Sequence, residues 1–292
     1  MDVLEEEPAM RASVPRVSVV IPAYNAEQYI RRAVDSVQSQ VYTDWDLWVV
    51  DDGSTDSTAR LVDEIRDGRV HCVHQEHGGP GAARNTGVRS STGELLAFLD
   101  ADDTWHPMHL DRMVGFLDAN PFAGAVGCGL LDGRTGGPVK WRSSDVYGVE
   151  FRGVVNYFEA ALERPILHPS AGVIRRETFQ AMGGFLEIRG LVGEDLEFWA
   201  RLAIRCPIGY VGEMLATYHT EAAGRFLAKN FNYPPLVYTL RRALELREIA
   251  PSQIPDARRH CQEQILAYVR RLLECGRGAE ARRVLRTDPM LV

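Results

Sequence analysis

No apolar run in this chain approaches the ~18–20 residues that a membrane-crossing helix requires, so no segment reads as a transmembrane span. Cysteine is scarce and scattered. Cys72, Cys128, Cys206, Cys261 and Cys275 are odd in number and show no Cys-x-x-Cys spacing, which fits reduced thiols in a cytosolic protein. Basic charge is also short: 33 Lys and Arg against 40 Asp and Glu leave a net charge of −7, which argues against nucleic acid as a partner. Internal repeats and low-complexity tracts are absent. The opening MDVLEEEPAM is acidic and has no apolar core, so it does not read as a signal peptide and is expected to be a disordered tail over 1–14.

What is present is ample apolar material: 45% of 292 residues are hydrophobic, enough for a globular core and one appended module. The charge is unevenly spread. Met1 to Gly224 carries 20 basic and 33 acidic residues, whereas Arg225 to Val292 carries 13 and 7. That reversal places an expected boundary near residue 225, between a catalytic domain over 15–224 and a helical extension over 225–292.

Apolar and β-branched runs at 16–21 (RVSVVI), 45–50 (WDLWVV), 70–74 and 94–99 read as buried strands. Helical periodicity fills the gaps at 26–40, 58–66, the segment after GGPGAARNTG, and 107–119. Strands alternating with helices predict an α/β fold with a mostly parallel sheet flanked by helices. Further on, 123–131 and 171–174 read as strands, 177–182 and 195–204 as helices, and 208–211 and 215–218 as two short strands. The polar segment 132–147 reads as a loop. Helices are expected at 235–248, 257–274 and 279–286.

The most informative stretch is ELLAFLDADDTW, Glu94 to Trp105. A buried strand ends there in Asp100, Asp102 and Asp103. Carboxylates crowded at one strand end repel unless a cation or hydrogen-bonded ligand sits among them. The carboxyl ends of strands are where open α/β sheets bind ligands. An Asp-x-Asp in that position suits a hard divalent cation bridging to phosphate. The residues therefore point to a metal-dependent enzyme acting on a phosphorylated substrate. Asp103 is a candidate cap for the following helix. Tyr24 can stack on a nucleobase. Asp51 and Asp52 close the second strand on opposite faces and so cannot share one job. The Gly78–Gly87 loop lacks the Lys of a nucleoside-triphosphate loop, but the Arg84 guanidinium matches diphosphate oxygens.

VSVVIPAYN, VVDDGSTD, GGPGAARNTG, LAFLDADD and GEDLEFWARL occur in the order of the family 2 glycosyltransferases, and residues 15–220 resemble that family. The resemblance implies a GT-A (Rossmann-like) fold, a nucleotide-diphospho-sugar donor and an inverting transfer. It assigns Pro22, Ala23, Tyr24 and Asn25 to the nucleobase, and Asp52 to a hydrogen bond with it. Asp51 is left as structural or near the ribose. It places a basic residue at Arg84, puts Asp100 and Ala101 at the ribose or metal-bound water, and gives Asp102 to Mn²⁺ or Mg²⁺. His219 is a candidate for the metal shell or the diphosphate. The catalytic base falls on Asp195, with Glu194 as the alternative. His168 and Trp141 are placed at the acceptor cleft. UDP is the expected nucleotide, with dTDP and GDP open, and the acceptor is a glycan, a lipid-linked species or a small molecule. Membrane helices and the Gln-x-x-Arg-Trp motif of processive members are missing, which implies addition of one sugar at a time. A sugar-phosphate nucleotidylyltransferase would need a Gly-rich loop after the first strand, where PAYNAEQY stands instead. A scaffold that lost its chemistry is countered by the intact Asp102 and Glu194-Asp195. The C-terminal helices read as a cap on the core, or as a basic surface for an anionic membrane at the inner face.

Overall fold

The computed structural model describes residues 14–139, 147–162, 165–219 and 232–291. Residues 1–13 of the tail expected over 1–14, Trp141 and the expected boundary near 225 lie outside them.

The chain begins with an alternating half: β1 (Val17–Ala23), α1 (Ile30–Gln38), β2 (Trp45–Asp51), α2 (Thr58–Asp63), β3 (Val70–His74), α3 (Pro80–Ser90) and β4 (Leu95–Phe98). Then follow β5 (Thr104–Trp105), α4 (His109–Ala119), β6 (Ala125–Asp132), β7 (Arg152–Val155), α5 (Tyr157–Ala160), β8 (Gly172–Arg175), α6 (Arg176–Met182), α7 (Glu194–Arg205) and β9 (Ile208–Tyr218). Three helices close the chain: α8 (Pro235–Glu245), α9 (Ile254–Glu274) and α10 (Gly278–Thr287).

One nine-stranded sheet runs β3-β2-β1-β4-β8-β6-β9-β5, with β7 also paired to β9. β1 to β4, β6 and β9 point one way, and β5, β7 and β8 the other. The sheet is buried on both faces, which is why its strands are near-continuous apolar runs. Alternation along each strand sorts the side chains. Val17, Val19 and Ile21 of β1, with Leu95, Ala97 and Leu99, pack against α1 and α4. Val20, Val50, Leu96 and Phe98 pack on the other side, with Phe179, Phe198 and Trp199.

Three differences from the sequence-based expectation have local causes. The strands expected at 208–211 and 215–218 are one strand, because β9 absorbs Gly212 to Glu213 in a register shift against Cys128–Leu130 of β6. β7 was unmarked, because its burial depends on its pairing with Ile208–Val211 and not on a run of its own. The helix expected from 26 starts only at Ile30; Asn25 adopts φ +49, a left-handed conformation that Asn tolerates and that ends the strand before the helix can begin.

The C-terminal helices dock on the catalytic half. Leu236, Val237 and Leu240 of α8, with Cys261, Ile265, Val269 and Leu272 of α9, belong to the apolar cluster that holds Phe158, Phe198 and Trp199. α8 therefore packs on α7, the helix that begins at Glu194. Leu273 continues the helical spacing of Ile265 and Val269 on α9 but is 55% exposed, whereas Leu272 beside it is buried.

Candidate active site

A cavity of about 610 Å³ opens at the carboxyl ends of β1, β2 and β4. It is lined by 22–26, Tyr29, Asp52, His77, Pro80, Ala83, Arg84, 100–102, His168, 192–195 and Tyr218. Twelve of the residues singled out from sequence thus line one cavity: Pro22, Ala23, Tyr24, Asn25, Asp52, Arg84, Asp100, Ala101, Asp102, His168, Glu194 and Asp195. His219 does not line it.

Asn25 ties the end of β1 to the turn after β2. Its amide donates to Ser54 Oγ at 3.0 Å, and its Oδ1 accepts from the Thr55 amide at 2.8 Å. Asp51 is buried and structural in its contacts, accepting from the Ser54 amide at 3.1 Å. Asp52 is 3% exposed. Its Oδ1 accepts from Gln75 Nε2 at 2.7 Å and the Gly78 amide at 2.8 Å, and its Oδ2 from the Gly79 amide and His77 Nδ1, both at 2.8 Å. A carboxylate offers about four lone-pair positions, and all four are taken. Asp52 therefore shapes the loop before α3. The His77 ring also stacks on Tyr24, with centroids 4.2 Å apart. Sequence reasoning missed His77, since a histidine outside every motif carries no signal until the fold brings it to Tyr24.

Arg84 is not a surface residue. It is 4% exposed and bridges two carboxylates, with Nη2 at 2.7 Å from Asp100 Oδ1 and Nη1 at 2.8 Å from Glu194 Oε1. Each terminal nitrogen keeps a second N–H, and Nε has no hydrogen-bond partner among the described residues, so the guanidinium retains donors for a diphosphate without opening either pair. The bridge is possible because α3 begins against the segment before α7: a Cβ on Gly81 would lie 2.4 Å from the Leu186 carbonyl oxygen. Burial pushes the Asp100 carboxyl up, but the Arg84 guanidinium, with His168 adding, holds it below the usual carboxylate range.

Glu194 and Asp195 open α7. Burial raises both above the ordinary carboxylate range, with the neighbouring acid adding to Glu194 and Arg84 opposing the rise in both. They differ in their partners. Glu194 is tied to Arg84, whereas no salt bridge or side-chain hydrogen bond holds Asp195 among the described residues.

The Asp-x-Asp end is dense in acid. Asp102 is pushed up to about 6 by burial and by Asp100. Asp103 is fully buried and does not cap α4, whose N-cap is Met108. Instead Asp103 accepts from Ser170 Oγ at 2.5 Å and from the His219 amide at 2.9 Å. Burial and its two acidic neighbours raise it well above the usual range. The His219 ring lies with Nε2 3.2 Å from Thr104 Oγ1, away from Asp102's cavity. Asp100, Asp103 and His168 do converge, with one ligand atom each inside 4.8 Å. Hard oxygen donors predominate here, as a Mg²⁺- or Mn²⁺-type ion prefers, and the crowded acids fit such a cation.

An open α/β sheet with an acid-lined cavity at its strand ends is the arrangement in which such sheets bind their ligands. A model of the family described as Glycosyl transferase family 2 matches residues 18–183, more than half of the chain. The chain belongs to that family. It is 38% identical over 105 residues to the Escherichia coli UDP-Glc:alpha-D-GlcNAc-diphosphoundecaprenol beta-1,3-glucosyltransferase WfgD, covering 36% of this chain and 42% of that protein. It is 39% identical over 106 residues to the putative teichuronic acid biosynthesis glycosyltransferase TuaG of Bacillus subtilis, covering 35% and 42%. An uncharacterized glycosyltransferase of Nostoc is 36% identical over 114 residues, covering 38% of this chain and 35% of its own. The match thus spans about two fifths or less of these relatives. In fold, the chain resembles Staphylococcus aureus TarS 1-349 in complex with UDP-GlcNAc at TM-score 0.67 and 19% identity, over 86% of this chain and 71% of that one. It resembles the mannosyltransferase PcManGT of Pyrobaculum calidifontis, in complex with GDP-Man and Mn²⁺, at TM-score 0.59 and 23% identity, over 95% and 82%.

Proposed function

We propose that this protein moves one sugar from a nucleotide-diphospho-sugar, a UDP-sugar first among candidates, to an acceptor hydroxyl with inversion. The observation that carries the reading is the Asp195 carboxylate, which forms no salt bridge among the described residues, on the wall that also holds Asp52 and the Asp-x-Asp. The acceptor oxygen attacks the anomeric carbon as the bond to the diphosphate oxygen breaks. The nucleoside diphosphate leaves with that electron pair, and the acceptor proton passes to Asp195. Burial raises Asp195 toward the neutral range, where a general base is effective. Arg84 holds Glu194 and Asp100 at fixed positions on either side of the reaction.

Asp102, with Asp100 beside it, is the position for Mn²⁺ or Mg²⁺. A divalent cation held there would neutralise charge on the leaving diphosphate. Tyr24, 48% exposed, presents a ring face to the base. For Asp52 to accept from the base as well, the Gln75 or His77 side chain must yield its place.

Binding calorimetry of UDP, dTDP, GDP and CMP tests this, each with Mn²⁺ and again with EDTA. One diphosphate is expected to bind at least tenfold more tightly with Mn²⁺. Binding of none of the four would overturn the donor assignment.

The relatives' printed names speak of a diphosphoundecaprenol acceptor and of teichuronic acid, which supports a cell-surface glycan or lipid-linked acceptor. No helix among the described residues is long and apolar enough to cross a membrane. Arg258, Arg259 and Arg270 are exposed along α9 and offer a basic face to anionic lipid. Co-sedimentation with anionic vesicles should retain the protein at low salt and release it at high salt. Equal recovery from neutral vesicles would remove the membrane role.

A further inference from the structure

One cluster of metal-ligating side chains lies outside the cavity and takes no part in the chemistry above. Asp63 closes α2, and Cys72 and His74 lie on β3, the edge strand of the sheet. Being two residues apart, Cys72 and His74 leave the same face of the strand. One ligand atom from each of the three comes within 4.8 Å of the others. We infer that Asp63, Cys72 and His74 form a three-donor site for a borderline divalent cation of the Zn²⁺ class, with the fourth position open to water.

The donor chemistry separates this site from the Asp-x-Asp. Sulfur and imidazole select Zn²⁺ and Co²⁺ over Mg²⁺ and Mn²⁺. The surroundings are those of a ligand set. His74 Nδ1 lies 3.2 Å from Asp51 Oδ2. A carboxylate behind an imidazole fixes the ring and its tautomer, the usual arrangement behind a metal-bound histidine, and leaves Nε2 for the ion. The Cys72 thiol lies within 4.8 Å of the Asp63 carboxylate and carries its proton until an ion enters. An entering cation takes the place of that proton, which goes to water, and sulfur and carboxylate oxygen both become ligands. Entry is open, since the His74 side chain is 55% exposed and Asp63 is exposed. Asp51 also receives the Ser54 amide, so an ion at His74 braces the turn that carries Asp52.

Cobalt titration of the full chain, with thiols kept reduced, tests the site. One equivalent of Co²⁺ should produce a thiolate-to-cobalt charge-transfer band in the near ultraviolet, and Zn²⁺ should displace it. Cys72→Ser should abolish the band. His74→Ala, at an exposed position that the fold does not need, should weaken cobalt binding at least tenfold. Asp51→Asn should weaken it by roughly 10–100-fold, the usual effect of losing such a support. Asp102→Asn should leave the band in place, since an all-oxygen site gives none; the glycosyltransferase reading therefore stands or falls separately. Absence of the band at millimolar cobalt, or its survival in Cys72→Ser, overturns the proposal.

Discussion

Asp195→Asn is expected to lower kcat by about 10²–10⁴-fold, the range of a lost general base, while leaving the affinity for donor nucleotide within a few-fold of wild type. The reason is local. Asparagine keeps the volume and the helix-start position but cannot take the acceptor's proton. Glu194→Gln should be milder in kcat, because Glu194 meets Arg84 through a hydrogen bond that the amide oxygen of glutamine can still accept. Single-turnover transfer measured beside nucleotide calorimetry separates the two effects. Near wild-type transfer in both variants would sink the assignment of the base to this pair. The pH profile offers an independent check. Burial raises Asp195, so the rate should fall with falling pH at a point above the ordinary aspartate value of 3.8. Arg84 opposes that rise, so Arg84→Gln should move the acid limb to still higher pH.

Asp102→Asn is expected to abolish metal-dependent transfer and yet stabilise the metal-free protein at neutral pH. Asp102 sits near 6, raised from 3.8 by burial and Asp100. A group raised in the folded state contributes stability while protonated, and loses it as pH climbs through its folded value. Above pH 6 the metal-free wild type therefore holds an unfavourable charge that asparagine lacks. At 1.36 kcal/mol per unit, the difference is about 1–3 kcal/mol, or about 2–8 °C in Tm for a chain of this class. The gap should narrow toward pH 4, where wild-type Asp102 is protonated as well. Mn²⁺ should raise the Tm of wild type and not of Asp102→Asn. A variant that melts below wild type at pH 7.5 without metal would show that burial does not strain this carboxylate. Asp103 is raised by burial, Asp100 and Asp102, so loss of the Asp102 charge relieves Asp103 in the same direction.

These two carboxylates show how far the chain can be read without its fold. The alternating half is legible because its strands are buried on both faces, so residues 17–21, 45–50 and 95–99 are apolar apart from Ser18 and Asp46. The acid at their ends is legible for the converse reason: Asp51, Asp52, Asp100 and Asp102 break those runs abruptly. β7 and the join across β9 are not, because a short strand takes its burial from its neighbour and a register shift has no residue signature. The leucine at 273 is a periodicity match on a helix whose neighbours stop short of it.

By itself, then, the sequence determined the order of strands and helices, the family to which the chain belongs, and the residues that would meet at one end of the sheet. Local periodicity and abrupt charge are properties of consecutive residues, and they survive without knowledge of the fold. Tertiary structure alone decided the partners. It buried Arg84 between Asp100 and Glu194, 16 and 110 residues away along the chain, and left Asp195 with no salt bridge among the described residues. It saturated Asp52 with the loop from Gln75 to Gly79, turned Asp103 from a helix cap into the acceptor for Ser170 and His219, and brought Cys72 and His74 to Asp63. A hydrogen bond or ion pair depends on separations of about 3 Å between groups distant in the chain, and those distances are set only when the packed faces of the sheet fix where each strand ends.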